Sequence, residues 1–180
     1  EDQAISHYNR GEAPIVLCSL GDGSVTEGEI AEAFQMACLH EYPIIFLVQD
    51  NEWDISAHSS EVRKMNAAEY ATGFKGMRIE SIDGSDFDTA YQTLSKVVDL
   101  VRKDRKPYLI HAKVPLLNHH TSGVRKEWYR PKENLEADAK RDPLPILESQ
   151  LELIGVEREE IEDIKQIAKQ NVERDFNLAF

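Results

Sequence analysis

Cysteine is scarce in this chain: 180 residues contain only Cys18 and Cys38. Both sit in apolar stretches, which excludes a disulfide framework and predicts two buried free thiols in a reducing compartment. A bacterial cytoplasm is the expected setting, or the mitochondrial matrix in a eukaryote. Long apolar runs are missing too. The longest, Ile44 to Val48, is far shorter than the ~20 residues that cross a bilayer, so no membrane association is expected. Positive charge is in deficit, with 21 basic against 33 acidic side chains and a net charge of −12. A surface of that sign repels a polyphosphate backbone, which argues against nucleic acid as a partner. The sequence opens without an initiator Met, and no signal peptide is expected. Glu1 to Ile5 resembles the end of a helix begun upstream, broken by Gly11 and Pro14, so a piece of a longer chain is expected.

What is present is a globular composition, 41% apolar and 30% charged, long enough for one domain and an appendage. Pro14 to Leu20 and Pro43 to Val48 read as buried strands. Between them Ile30, Phe34 and Ala37 mark one helix face, with Thr26 and Glu29 as its capping box. Strand, helix, strand with continuous apolar strands predicts a parallel sheet covered on both faces. Met77 to Asp83 and Pro107 to Val114 read as further strands. The helix between them carries the stripe Phe87, Tyr91, Leu94, Val98 and Val101, with Ser85 and Asp88 near its cap. Leu117 to Arg130 has no periodicity and reads as a functional loop. Two helices follow, one on Leu147, Leu151 and Ile154 and stopped by Gly155, the other on Ile161, Ile164, Ala168, Val172 and Phe176 behind an acidic first turn. The expected fold is α/β, a mainly parallel sheet with helices on both faces. The expected division is an α/β domain over 1–130, including the loop, and a helical extension over 131–180.

Gly21-Asp22-Gly23 ends the first strand, where ligands bind in open α/β sheets. The glycines allow backbone to approach a phosphate, whereas Asp22 needs a cation between itself and any phosphate. Mg²⁺ suits that place because it takes carboxylate, carbonyl and phosphate oxygens together. A plain turn, or Asp22 as a helix cap, is the structural alternative. The second strand ends in Gln49-Asp50-Asn51-Glu52-Trp53, bringing an amide and carbonyl oxygens to the same sheet edge.

Gly21 to Gly28, followed by Asn51 at 29 positions after Asp22, resembles the thiamine diphosphate motif of the alpha subunits of 2-oxoacid dehydrogenase decarboxylating components. His119-His120-Thr121-Ser122 with Tyr129-Arg130 is similar to the active-site loop of that family. Pro107 to Ile110 and Arg141-Asp142-Pro143 match its flanks. The resemblance implies a thiamine diphosphate-binding fold and Mg²⁺ on Asp22, Asn51 and the Trp53 carbonyl. It implies cofactor contacts from Gly21, Gly23, Ser24, Ile55 and His120, and catalytic roles for His120 and His119. It also implies a beta-type subunit, or fused beta half, supplying an activating Glu, a lipoyl domain as acyl acceptor, and an α2β2 assembly or a dimer of fused chains. The His-His pair is closest to the branched-chain members. Gln49 and Leu116 stand where family members carry Arg, Asp50 and Glu52 where Asn and Gly are usual, and Val124 and Arg125 where two acidic residues are usual.

Cys18 and Cys38 are expected as core thiols, and His40 and His58 as surface residues. Arg125, Lys126 and Arg130 read either as a solvated cluster or as groups ordering the loop on an anion. Thr121 and Ser122 match positions that some members phosphorylate, a modification not expected here. The competing functional readings are a non-catalytic assembly module of the same fold and a transketolase-like enzyme.

Overall fold

The structure is a computed structural model that describes residues 13–179. The expected helix end at Glu1 to Ile5 and the break at Gly11 lie outside the described residues. Two compact units divide between Asp142 and Pro143, later in the chain than the boundary expected at 130/131.

The first unit is built on four parallel strands, β1 (Val16–Gly21), β2 (Ile44–Asp50), β5 (Arg78–Asp83) and β6 (Tyr108–Lys113), in the order β1-β2-β6-β5. A two-stranded antiparallel hairpin, β3 (Trp53–Asp54) and β4 (Ala57–His58), follows β2. Helix α1 (Gly28–Leu39) crosses from β1 to β2, and α4 (Phe87–Asp104) crosses from β5 to β6. Two short helices, α2 (Ser59–Val62) and α3 (Ala67–Ala71), follow the hairpin.

Why β2 is apolar at consecutive positions follows from the pleat. Successive side chains point to opposite faces, so Phe46 and Val48 join Phe34 of α1 in one buried cluster, while Ile45 joins Val97 and Val101 of α4 in another. Phe34 meets Phe46 edge-to-face at 4.7 Å and Phe74 at 5.4 Å between ring centroids. β6 alternates likewise, with Leu109 on the first side and Tyr108 and Ile110 on the second.

Several local expectations need correction. β1 is an edge strand, and Val16 and Leu17 are more than half exposed rather than covered on both faces. Thr26 does not cap α1: Gly23–Thr26 winds into a turn of 3-10 helix, the Thr26 hydroxyl donates back to the Gly23 carbonyl, and α1 starts two residues after it. Asp86 caps α4 by accepting from the Thr89 N–H, in place of Ser85 or Asp88. Phe87 and Tyr91 stack on each other at the surface, so α4 buries its stripe only from its middle onward. Cys18 and Cys38 are free but only half-buried.

A further helix, α5 (Lys132–Ala139), belongs to the first unit, whereas α6 (Pro143–Leu153) and α7 (Arg158–Ala179) form the second. Gly155 links α6 to α7 with φ of +93°, a left-handed conformation that favours glycine. Lys165 of α7 reaches Glu148 of α6 at 3.1 Å. Of the expected stripe on α7 only Ile161 is buried; Ile164, Val172 and Phe176 are exposed. No helix among the described residues is long and apolar enough to cross a membrane.

Candidate active site at the carboxyl edge of the sheet

The period-2 pleat that builds the core also builds the site. Val48 and Asp50 share a face of β2, Leu109 and His111 share a face of β6, and Val48 pairs with His111 in register. At the carboxyl end the apolar layer therefore gives way to an acid and an imidazole. Both are buried, and the Asp50 Oδ2 to His111 Nε2 distance is 2.7 Å. His111 Nδ1 lies 3.4 Å from the Ser81 hydroxyl of β5.

One strand over, Asp22 follows β1 and is 3% exposed. Its carboxylate makes no cap to the 3-10 turn it begins, so the capping alternative does not hold. Instead Asp22 Oδ1 accepts from the Asn51 backbone N–H at 3.4 Å, and Oδ2 accepts from Arg63 Nη2 at 2.5 Å. The same Arg63 nitrogen is 3.1 Å from Asp50 Oδ1. Four buried or nearly buried groups, Asp22, Arg63, Asp50 and His111, thus form one polar chain at the edge of three adjacent strands.

Charge balance differs between the two acids. Burial raises the Asp22 carboxyl above its ordinary range and the Asp50 charge adds to that, against the hydrogen bond from Arg63. Asp50 is also pushed up by burial, but His111, the Glu52 N–H and Arg63 outweigh it and hold Asp50 down to about 2.

The turn after β2 is tightly specified. Asn51 Oδ1 accepts from the Trp53 N–H at 2.9 Å, and Asp50 Oδ1 from the Glu52 N–H at 2.9 Å. Glu52 and Ile55 take φ of +65° and +55°. For a β-branched residue that backbone is strained, and such strain collects at ligand clamps. Gly23 is approached so closely by Asp54 that a Cβ there would lie 2.8 Å from the Asp54 carboxyl carbon.

The donor chemistry suits a hard cation. Asp22 supplies carboxylate oxygen, the Asn51 amide oxygen keeps a second lone pair beyond its turn bond, and backbone carbonyls lie in the same turn. No group of three or more His, Cys, Asp or Glu among the described residues is placed to hold a metal ion. Asp54 is exposed, so its side chain can turn away from Gly23 without cost to the core.

The loop is more anchored than its sequence suggests. Lys126 donates from its backbone to His119 Nδ1 at 3.1 Å and from its side chain to the Leu117 carbonyl. Arg130 is no solvated charge: it is 4% exposed and donates to the Leu116 carbonyl at 2.7 Å, Asn134 at 2.7 Å and Asp138 at 2.5 Å. Its guanidinium also lies 5.4 Å from the Trp53 ring centroid, tying the loop's end to the turn after β2. His120, Thr121 and Ser122 are exposed. Among the described residues Arg125 pairs with exposed Glu127. His40 stacks on Tyr42, and His58, half-buried, caps α2 and meets Trp53 edge-on.

Sequence reasoning missed Arg63 and His111. A histidine inside an otherwise apolar strand was a readable signal for His111. Arg63 stands in an irregular stretch without periodicity, and nothing in the sequence marks it.

The dehydrogenase E1 component family model matches residues 1–179. The pyruvate dehydrogenase E1 component subunit alpha of Rickettsia bellii is 29% identical over 174 residues, covering 92% of this chain and 52% of that protein. The 2-oxoisovalerate dehydrogenase subunit alpha of Bacillus subtilis is 30% identical over 145 residues, covering 80% of this chain and 44% of that protein. Among solved structures, a transketolase from Campylobacter jejuni aligns with 58% of this chain and 16% of its own at 26% identity and a TM-score of 0.47. The chain spans about half the length of the relatives it matches. With a parallel sheet whose carboxyl edge gathers Asp22, Asp50 and Asn51, and a family match running from one end to the other, the chain belongs to the dehydrogenase E1 component family.

Proposed function

We propose that this chain is part of the alpha half of a thiamine diphosphate-dependent 2-oxoacid dehydrogenase. The observation that supports this most is the meeting of Asp22 and Asn51, from the ends of two adjacent parallel strands, in a chain of this family. In this reading Asp22, Asn51 and the Trp53 carbonyl hold Mg²⁺, and the backbone at Gly21, Gly23 and Ser24 receives the diphosphate, once Asp54 has turned aside. Ile55 borders the cofactor from the strained turn. When bound, thiamine diphosphate supplies the carbanion that adds to a 2-oxo carbonyl and accepts electrons as CO₂ leaves.

The chain's own residues bind, orient and move protons. Trp53 and Arg130 fix the loop's end against the metal-binding turn, which sets the reach of the segment carrying His119 and His120. His120 handles a proton during acyl transfer to a lipoyl sulfur. The activating Glu comes from a beta-type subunit or fused beta half, in an α2β2 assembly or its fused equivalent, and the compartment is the cytoplasm or mitochondrial matrix. These 180 residues alone therefore carry no activity.

The test uses the full-length protein with its beta half. Pyruvate and the branched-chain 2-oxo acids are offered with thiamine diphosphate, Mg²⁺ and a lipoyl domain, and CO₂ release and lipoyl acylation are measured. Turnover of at least one 2-oxo acid is expected. Cofactor binding without turnover of any 2-oxo acid would favour a non-catalytic module, and ketol transfer between sugar phosphates a transketolase-like enzyme.

A further inference from the structure

Arg63 belongs to no motif, yet it occupies the centre of the site. One nitrogen, Nη2, serves both carboxylates, 2.5 Å from Asp22 and 3.1 Å from Asp50. Guanidinium normally engages carboxylates as a two-pronged fork. Here it is used as a point cation between two anions, which is the role of a metal ion. The side chain is only 9% exposed, and its other terminal nitrogen, Nη1, is buried with no hydrogen-bond partner among the described residues. An unpaired buried donor costs free energy, so this position is held by the two acids and opposed by the guanidinium's own desolvation.

There is room for another position. Arg63 lines a cavity of about 330 Å³ together with Ser59, Ser60 and Lys64. It also lines a second of about 270 Å³ beside Thr26 and Tyr70. Resting on the reading of Asp22 as a metal ligand, we infer that Arg63 is a built-in counter-ion seated between Asp22 and Asp50, competes with Mg²⁺ for the Asp22 carboxylate, and swings into the cavity beside Ser59 and Ser60 when the metal enters. The site then never presents two bare buried carboxylates, and metal affinity is lowered by the fraction of molecules in which Arg63 is seated. In the displaced position the serine hydroxyls offer acceptors that Nη1 lacks in its present one.

The experiment measures Mn²⁺ binding to the full-length protein without thiamine diphosphate, by electron paramagnetic resonance of free Mn²⁺. Wild type, Arg63→Gln, Arg63→Lys and Asp22→Asn are compared. Arg63→Gln is expected to bind Mn²⁺ about tenfold or more tightly than wild type, because the competitor is gone. Arg63→Lys, which keeps a cation there, is expected within about threefold of wild type. Should Arg63→Gln leave its facing carboxylates too repulsive to fold alone, Mn²⁺ would restore folding and raise its Tm more than that of wild type, which supports the same competition. Equal or weaker Mn²⁺ binding by folded Arg63→Gln, with binding abolished in Asp22→Asn, overturns the role of Arg63 while leaving the metal site standing. Unchanged Mn²⁺ binding in Asp22→Asn overturns the ligand reading and this inference with it.

Discussion

Replacing Asp50 with Ala is expected to lower the stability of the folded protein by about 3–5 kcal/mol, the usual cost of breaking a buried ion pair from one side. Asp50 is 5% exposed and holds His111 at 2.7 Å and Arg63 at 3.1 Å. Its loss strips His111, itself 1% exposed, of its closest partner and leaves Arg63 to Asp22 alone. A fall in Tm of roughly several degrees follows, measured by thermal unfolding of the full-length protein. Asp50→Asn, which keeps the shape and a hydrogen bond to His111, should lose less.

The acid limb carries a second signature of the same residue. Asp50 is held at about 2 in the fold against an ordinary 3.8, so its contribution is complete above pH 3.8 and disappears as pH falls towards 2. Asp22 is shifted the other way and contributes with the opposite sign, favouring the fold only where it is protonated. Wild type should thus lose stability between pH 3.8 and 2 to an extent that Asp50→Asn does not. Parallel loss in both proteins would show that Asp50 is not the group responsible.

His120→Ala in the complete assembly is expected to bind thiamine diphosphate and Mg²⁺ but to lose lipoyl acylation by ~10²-fold or more, the range of a true acid–base group. The neighbouring imidazoles are not equivalent. His119 Nδ1 accepts from the Lys126 N–H at 3.1 Å, so one of its nitrogens is committed to holding the loop. His120 is exposed and makes no hydrogen bond within the described residues. His119→Ala should accordingly impair loop order more than chemistry, seen as faster hydrogen exchange over 117–126. A normal acylation rate in His120→Ala with an inactive His119→Ala would transfer the role; full activity in both would remove it from the loop altogether.

Much of this was legible in the sequence where a physical period or a crowded motif carried the information. The apolar run at Ile44 to Val48 reads as a strand buried on both sides because its neighbours in sequence serve opposite faces, and that is how Ile45 and Phe46 are used. Gly155 ended a helix as read, since its left-handed backbone is one that glycine reaches without steric cost. The caps were not legible. Thr26 and Glu29 have the right spacing, but the close-packed turn at Gly23 draws the Thr26 hydroxyl backwards. Asp86 wins the α4 cap by one residue over its neighbours. In the site, Asp22 and Asn51 were singled out because glycines, a strand end and the motif they resemble frame them. Arg63 was not, because its partners are 41 and 13 residues away in sequence and meet only through the fold. Arg130 read either as a solvated charge or as a group ordering the loop on an anion, since the acceptors that hold it, the Leu116 carbonyl and Asp138, carry no sequence signal.

If the turns after β1 and β2 together hold a metal-bound diphosphate, as proposed, titration of thiamine diphosphate into the full-length protein with its beta half will show it. The titration is run with Mg²⁺ and with a chelator, for wild type and Asp22→Asn. Saturable binding that requires Mg²⁺ and is lost in Asp22→Asn is the predicted result. Binding that is equally tight without Mg²⁺, or unchanged in Asp22→Asn, would contradict it.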